Sequence, residues 1–322
     1  VVGPFPMPLG VATNLRVDGN DVLVPIATEE SSVVAALSSG AKLLRGGEGI
    51  RTQVDRGRAE AQVVLEGVSD PAAARRAPER ARPDLLADAD AGHEALKAAG
   101  GGARTVSLRT LPGLPGTCIV TLSIDPGDAM GANVVTGMAE ALRPRLEALC
   151  AGHALAVIVA NGGTARDARA WGRVPLVNLG DKGDDVGTRI ARLSTVAQVD
   201  PARAITHNKG AWNGVQGMLS ALGQDTRAAG AAAWAHAFGR GLATPWATWQ
   251  REDDALTGWI ALPLALGTVG GAVGAHPVVR ACRTLLGDPD ATRLAGVAAA
   301  VGLAQNLAAL RMLVTEGLGA GH

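Results

Sequence analysis

The apolar residues of this chain change period from one stretch to the next. Between Asp200 and Asp225 they fall at Trp212, Val215, Met218, Leu219 and Leu222, the spacing of one helical face. Pro201, after Asp200, suits the first position of an element, and Gly223 suits a left-handed residue closing the helix. If the helix reaches back to Lys209, then Lys209 and Asn213, four apart, share a face. Asp225 falls past the far end and meets Lys209 only if a loop or another segment brings it there. A positive charge near a helix N-terminus would oppose the dipole, so Lys209 stands out.

Elsewhere the pattern predicts a strand over 21–27, a polar turn over 28–32, and a helix over 33–44 with Thr28 as its N-cap. Glu29 and Glu30, on spacing alone, read as acids favouring that helix start. Short strands are predicted over 61–65, 107–111, 117–124 and 155–159. Among them fall a charged, alanine-rich helical stretch over 71–99, interrupted by Pro78 and Pro83, and a helix from 134 to about 150. Two helices against strands able to pair antiparallel define a small α+β insert at about 56–164. Residues 171–199 carry little pattern. Strands are expected over 246–249 and 259–266. A long alanine-rich helix is expected over 294–313, with Gln305 and Asn306 embedded in it, and buried amides need partners.

Composition narrows the function class. The chain has 322 residues, 30 Lys and Arg against 30 Asp and Glu, and no tyrosine. A zero net charge without basic or acidic runs argues against nucleic acid or an anionic membrane as the main partner. Cys118, Cys150 and Cys282 are odd in number and lack metal-site spacing, so neither a disulfide framework nor a metal is expected, and a reducing cytoplasm fits. The uncharged run over 255–279 is long enough to cross a membrane. Pro263, Pro277 and the glycine cluster over 267–274 break it, so it reads as buried strand and loop.

Two stretches carry candidate chemistry. Thr206-His207-Asn208-Lys209-Gly210 puts a cation in a glycine turn suited to close backbone approach. Asp128-Ala129-Met130-Gly131-Ala132-Asn133 follows a strand and opens a helix, where backbone N–H groups can dock an anion; the alternative is an ordinary turn with Asn133 as N-cap.

These strings, with Asn213-Gly214, Gly223-Gln224-Asp225 and His276-Pro277, resemble the 3-hydroxy-3-methylglutaryl-coenzyme A reductase family, class II branch, over nearly the whole chain. The resemblance implies a large, mainly helical substrate domain in two parts, 1–55 and 165–317. An inserted ferredoxin-like dinucleotide-binding domain would occupy 56–164, and a C-terminal flap would begin at 318–322. Segments before Val1 and after His322 are expected to belong to the family domain and to be missing.

The resemblance further implies reduction of hydroxymethylglutaryl-coenzyme A to mevalonate and coenzyme A, or the reverse, by two hydride transfers from NADPH or NADH. Lys209 would stabilise the oxyanion and His322 would protonate the leaving thiolate. Glu30 would donate a proton to the aldehyde, which requires a setting dry enough to keep its carboxyl protonated, and Asp225 would bridge Lys209 and Glu30. Ser32, Arg203, Asn213, Gln305 and Asn306 would contact substrate. His93, Asp128, Met130, Gly131, Ala132, Asn133 and Asn161 would contact the cofactor, with Asp90 and the adjacent Glu94 as the alternative to His93. The family is a cytoplasmic homodimer, or a higher oligomer of dimers, with its active site at the interface. A non-catalytic acyl-coenzyme A-binding protein, a dimerising remnant, or an oxidoreductase acting on another thioester are the competing readings.

Overall fold

The structure is a computed structural model that describes residues 2–3, 5–161, 166–239 and 241–315. It divides into two compact units, Val1–Asp55 with Arg166–His322, and Arg56–Ala165.

The first unit opens with β1 (Leu9–Val17), β2 (Asn20–Ala27), α1 (Ser32–Arg45) and β3 (Ile50–Val54). The second unit runs β4 (Ala59–Glu66), α2 (Pro71–Arg80), α3 (Arg82–Asp90), α4 (Glu94–Ala98), β5 (Gly102–Thr110), β6 (Cys118–Asp125), α5 (Ala132–Cys150) and β7 (His153–Ala160). The first unit then resumes with β8 (Arg166–Pro175), α6 (Gly183–Val199), α7 (Pro201–Ala221), α8 (Thr226–Ala237), β9 (Ala247–Glu252), β10 (Ala255–Leu264), α9 (Pro277–Leu285) and α10 (Ala291–Thr315).

In the second unit the sheet order is β5-β6-β4-β7, antiparallel throughout. With helices after β4 and β6 this is the split βαββαβ, ferredoxin-like topology. Its core joins Val63, Leu65, Val120 and Leu122 to Met138, Leu142 and Leu146 of α5. The 71–99 stretch is three helices. Pro83 sits in the first turn of α3, where no N–H is needed, whereas Pro78 is accommodated inside α2.

In the first unit the order is β2-β1-β3-β8-β10-β9. β8, in the stretch with little apparent pattern, is an inner strand of this sheet. It buries Ala168, Ala170 and Val174 and exposes Arg169, Trp171 and Arg173. α10 packs on α7, α1, β8 and β3. It is long and apolar enough to cross a membrane by length and composition, but most of it is buried inside the fold. The uncharged 255–279 run is β10, a loop and the start of α9.

Close helix approach is built from small residues. A Cβ on Gly40 of α1 would lie 2.1 Å from the Ala304 carbonyl oxygen of α10. α7 begins at Pro201, with Asp200 accepting from the Ala202 amide at 3.0 Å, so Lys209 lies in the third turn. The dipole objection to Lys209 therefore lapses, because that field is confined to the first turn. Gly223 has φ 63°, and Gly223 N and Gln224 N return to Ser220 O and Leu219 O, a Schellman closure. α1 begins at Ser32, one residue before the expected 33, but its cap differs from the expected one. Its N-cap position is Ser31 and not Thr28, whose hydroxyl instead accepts weakly from Glu30 N at 3.4 Å.

Candidate active site

α7 and α10 lie side by side, and the turn between β2 and α1 reaches their flank. Together they enclose a cavity of about 270 Å³ walled by Glu30, Ser32, Lys209, Asn213 and Gln305, with Ala36, Ala309 and Met312 as apolar walls. Lys209 and Asn213 meet there because they are one helical turn apart on α7. Gly214 lets the helices close: a Cβ there would lie 3.0 Å from Gln305 Oε1. Gln305 lines the cavity but is 4% exposed, and its Oε1 is buried beside Gly214 without a hydrogen-bond partner. Ser32 donates to Glu30 Oε1 at 2.5 Å. Glu30 itself is exposed, so the dry setting required of a proton-donating carboxyl is not supplied by this chain alone.

A larger cavity, about 450 Å³, lies against Trp171, Trp246 and Trp259. It offers one ionisable group, Arg169, and none of the candidate residues.

Other expected site residues lie elsewhere. Asp225 caps α8, accepting from Arg227 N and Ala228 N at 3.0 Å each, and it does not wall the cavity. The Ala228 amide, with Arg227 beside it, holds its carboxyl below the usual carboxylate range against partial burial. α7 carries the chain about 18 Å from Lys209 to Ala221 before Asp225 is reached, so the bridge to Lys209 and Glu30 is not made within this chain. Arg203 lies nearly two turns before Lys209. Burial draws its guanidinium below its ordinary range, opposed by Asp200. Asn306 turns away from the cavity: 1% exposed, it accepts from Trp249 Nε1 at 2.8 Å and donates to His207 O at 3.1 Å. His322 lies outside the described residues.

His207 and Asn208, which the sequence did not single out as site residues, are buried. His207 Nε2 meets Ala247 O at 2.9 Å; a carbonyl only accepts, so Nε2 carries the proton. Burial, helped by Arg203 and opposed by the Ala247 carbonyl, lowers its pKa to about 4.

In the second unit the loop 126–131 joins β6 to α5. Gly131 is the N-cap residue with φ 107°, and a Cβ there would lie 2.5 Å from Ala59 Cβ. No side chain caps α5. Asn133 is therefore not the cap. Asp125 accepts from Gly127 N at 3.0 Å and is paired with Arg104 and Arg56. Asn161 is exposed just after β7. Asp90, the alternative to His93, is already engaged: it accepts from Ala103 N at 2.7 Å and pairs with Lys97 at 3.6 Å. His93 is half-buried at the start of α4 and caps nothing with its side chain. Among the described residues no cluster of three His, Cys, Asp or Glu could hold a metal ion.

In the first unit a cation, amides and a carboxyl group surround one cavity; in the second, taken by itself, α5 starts without a side-chain cap. The hydroxymethylglutaryl-coenzyme A reductase family model matches residues 1–322, and the chain belongs to that family. It is 37% identical, over its whole length and 74% of the relative's, to the 3-hydroxy-3-methylglutaryl-coenzyme A reductase of Archaeoglobus fulgidus. Among solved structures, that of the Streptococcus pneumoniae reductase superposes with TM-score 0.93 at 37% identity, covering 98% of this chain and 86% of that one. A class II structure from the same organism, bound to NADPH in open conformations, matches equally, covering 98% of this chain and 87% of that one.

Proposed function

We propose that this chain reduces 3-hydroxy-3-methylglutaryl-coenzyme A to mevalonate and coenzyme A, or runs the reverse, with NADPH or NADH. The observation that carries this reading is the meeting of Lys209, Asn213, Glu30, Ser32 and Gln305 at one cavity. A bound nicotinamide supplies two hydrides in succession. Lys209 lies where a compact cation can stabilise the oxyanion built on the thioester carbonyl. Asn213 and Gln305 line the cavity and would orient the substrate's polar groups, and Ser32 holds Glu30 in place. Glu30 is the group placed to donate to the aldehyde oxygen at the second reduction. Arg203, drawn partly out of water, suits the free carboxylate of the substrate.

The residues around 126–133 fit the cofactor. Gly131 lets the loop pack closely on Ala59 and Pro126, and the first amides of α5 would donate to a phosphate. Asp128, Met130, Ala132, Asn133, Asn161 and His93 are proposed contacts.

The working form is a homodimer in a cytoplasmic setting. Asp225 is held away from the Lys209 cavity and Glu30 is exposed, so a second copy would have to supply the missing carboxylate and cover the site. The test follows nicotinamide absorbance with hydroxymethylglutaryl-coenzyme A, and with mevalonate plus coenzyme A. Absence of turnover in both directions overturns the reading. Sedimentation of an active monomer overturns the dimer.

A further inference from the structure

Asn208 and Asn306 adjoin two cavity residues, Lys209 and Gln305, yet both turn inward. Asn208 is fully buried; its Nδ2 donates to Thr244 O at 2.9 Å and its Oδ1 accepts from Trp246 N at 2.8 Å. Asn306 accepts from the Trp249 indole and donates to His207 O. His207 donates to Ala247 O, and Trp249 N donates to Ser194 Oγ at 2.8 Å. The segment from Thr244 to Trp249 is thus gripped by polar groups of α6, α7 and α10.

The apolar contact between α7 and α10 cannot do this alone. Where Lys209 and Gln305 project, it is made by Gly210 against Ala309 and Gly214 against Gln305 and Val301. Small residues allow close approach but interlock weakly, so they resist rotation about the helix axis poorly. An amide engaged at both ends is directional. A rotation of α7 by ~10° would swing a lysine amine, roughly 8 Å from the axis, by more than ~1 Å, and a displacement of that size can cost ~10²-fold in rate.

The geometry points to Asn208 and Asn306 as positioning residues that fix the rotation of α7 and α10, and so place Lys209 and Gln305 for reaction. This rests on the reductase reading above.

The test compares kcat, both KM values and Tm of the full chain with those of Asn208→Leu, Trp249→Phe, His207→Leu and His207→Gln. Asn208→Leu should lower kcat ~10²-fold and Trp249→Phe, which removes the donor to Asn306 and part of the buried indole while keeping a ring, ~10-fold. The nicotinamide KM should stay within about twofold, because its site is in the other unit. His207→Gln, which keeps an N–H donor, should recover most of the kcat lost in His207→Leu. If Asn208→Leu does not fold, Trp249→Phe decides. Variants with lowered Tm but unchanged kcat per folded molecule would reduce the network to scaffold and overturn the inference alone. An inactive parent chain overturns the reductase reading, and this inference with it.

Discussion

Ser32 donates its hydroxyl to Glu30 Oε1 at 2.5 Å, across the turn where β2 gives way to α1, and both residues open onto the cavity that holds Lys209. A hydrogen bond to a charged group contributes about 1.5–3 kcal/mol when it is kept from water. At this exposed turn its value lies in fixing the carboxylate's direction. Ser32→Ala should lower kcat/KM for the thioester roughly 10-fold with Tm unchanged, and Ser32→Thr should retain most activity. Equal losses in both variants would count against the hydroxyl.

Lys209 is exposed and sits mid-helix, where alanine is the best helix former. Lys209→Ala should therefore fold normally and lose at least ~10²-fold in turnover. Circular dichroism and steady-state rates on one preparation check both halves. Near-normal turnover would remove Lys209 from the mechanism.

Gly131→Ala should displace the loop at the start of α5 and so weaken cofactor binding without touching the thioester site. Its φ of 107° disfavours any side chain, and the added Cβ would collide with Ala59 and Pro126. The nicotinamide KM should rise ~10-fold or more while the thioester KM stays unchanged, as fluorescence titration and initial rates would report. A parallel rise in both would mean general unfolding.

Cofactor choice should respond to His93. Asp90 is committed to Ala103 N and Lys97, so no free carboxylate from it is left to repel a 2′-phosphate. The chain should accept NADPH, and His93→Asp should move the kcat/KM ratio toward NADH. A strong NADH preference that the substitution leaves unchanged would take His93 out of the site.

Acid should destabilise the fold through His207. Its pKa is about 4 in the folded state against about 6.5 when unfolded, so between those values only the unfolded chain binds the proton. Its contribution is complete above pH ~6.5 and is lost as pH falls toward ~4, amounting to about 3 kcal/mol. Denaturant unfolding at a series of pH values measures this, and His207→Gln should flatten the dependence in that window.

The sequence by itself determined a good deal. Helical spacing from Trp212 to Leu222 and Gly223 located the end of α7, because a positive φ there strongly favours glycine. The Gly131 loop was legible for the same reason: backbone that must pass close to a neighbour leaves a local mark. β8 was harder to see. Its buried residues are small and alternate with Arg169, Trp171 and Arg173, so hydrophobicity alone did not reveal an inner strand.

Only the tertiary structure decided what the embedded polar residues do. Gln305 and Asn306 are neighbours on one apolar helix, and nothing local distinguishes them. A rotation of about 100° along α10 turns one toward Lys209 and the other toward Trp249. His207 and Asn208 likewise read as companions of Lys209, whereas their partners at Thr244, Trp246 and Ala247 lie some forty residues on. Asp225 shows the converse. Its capping of α8 is local and could be read from Thr226 onward, but its separation from Lys209 follows from the length and rigidity of α7, which only the folded chain displays.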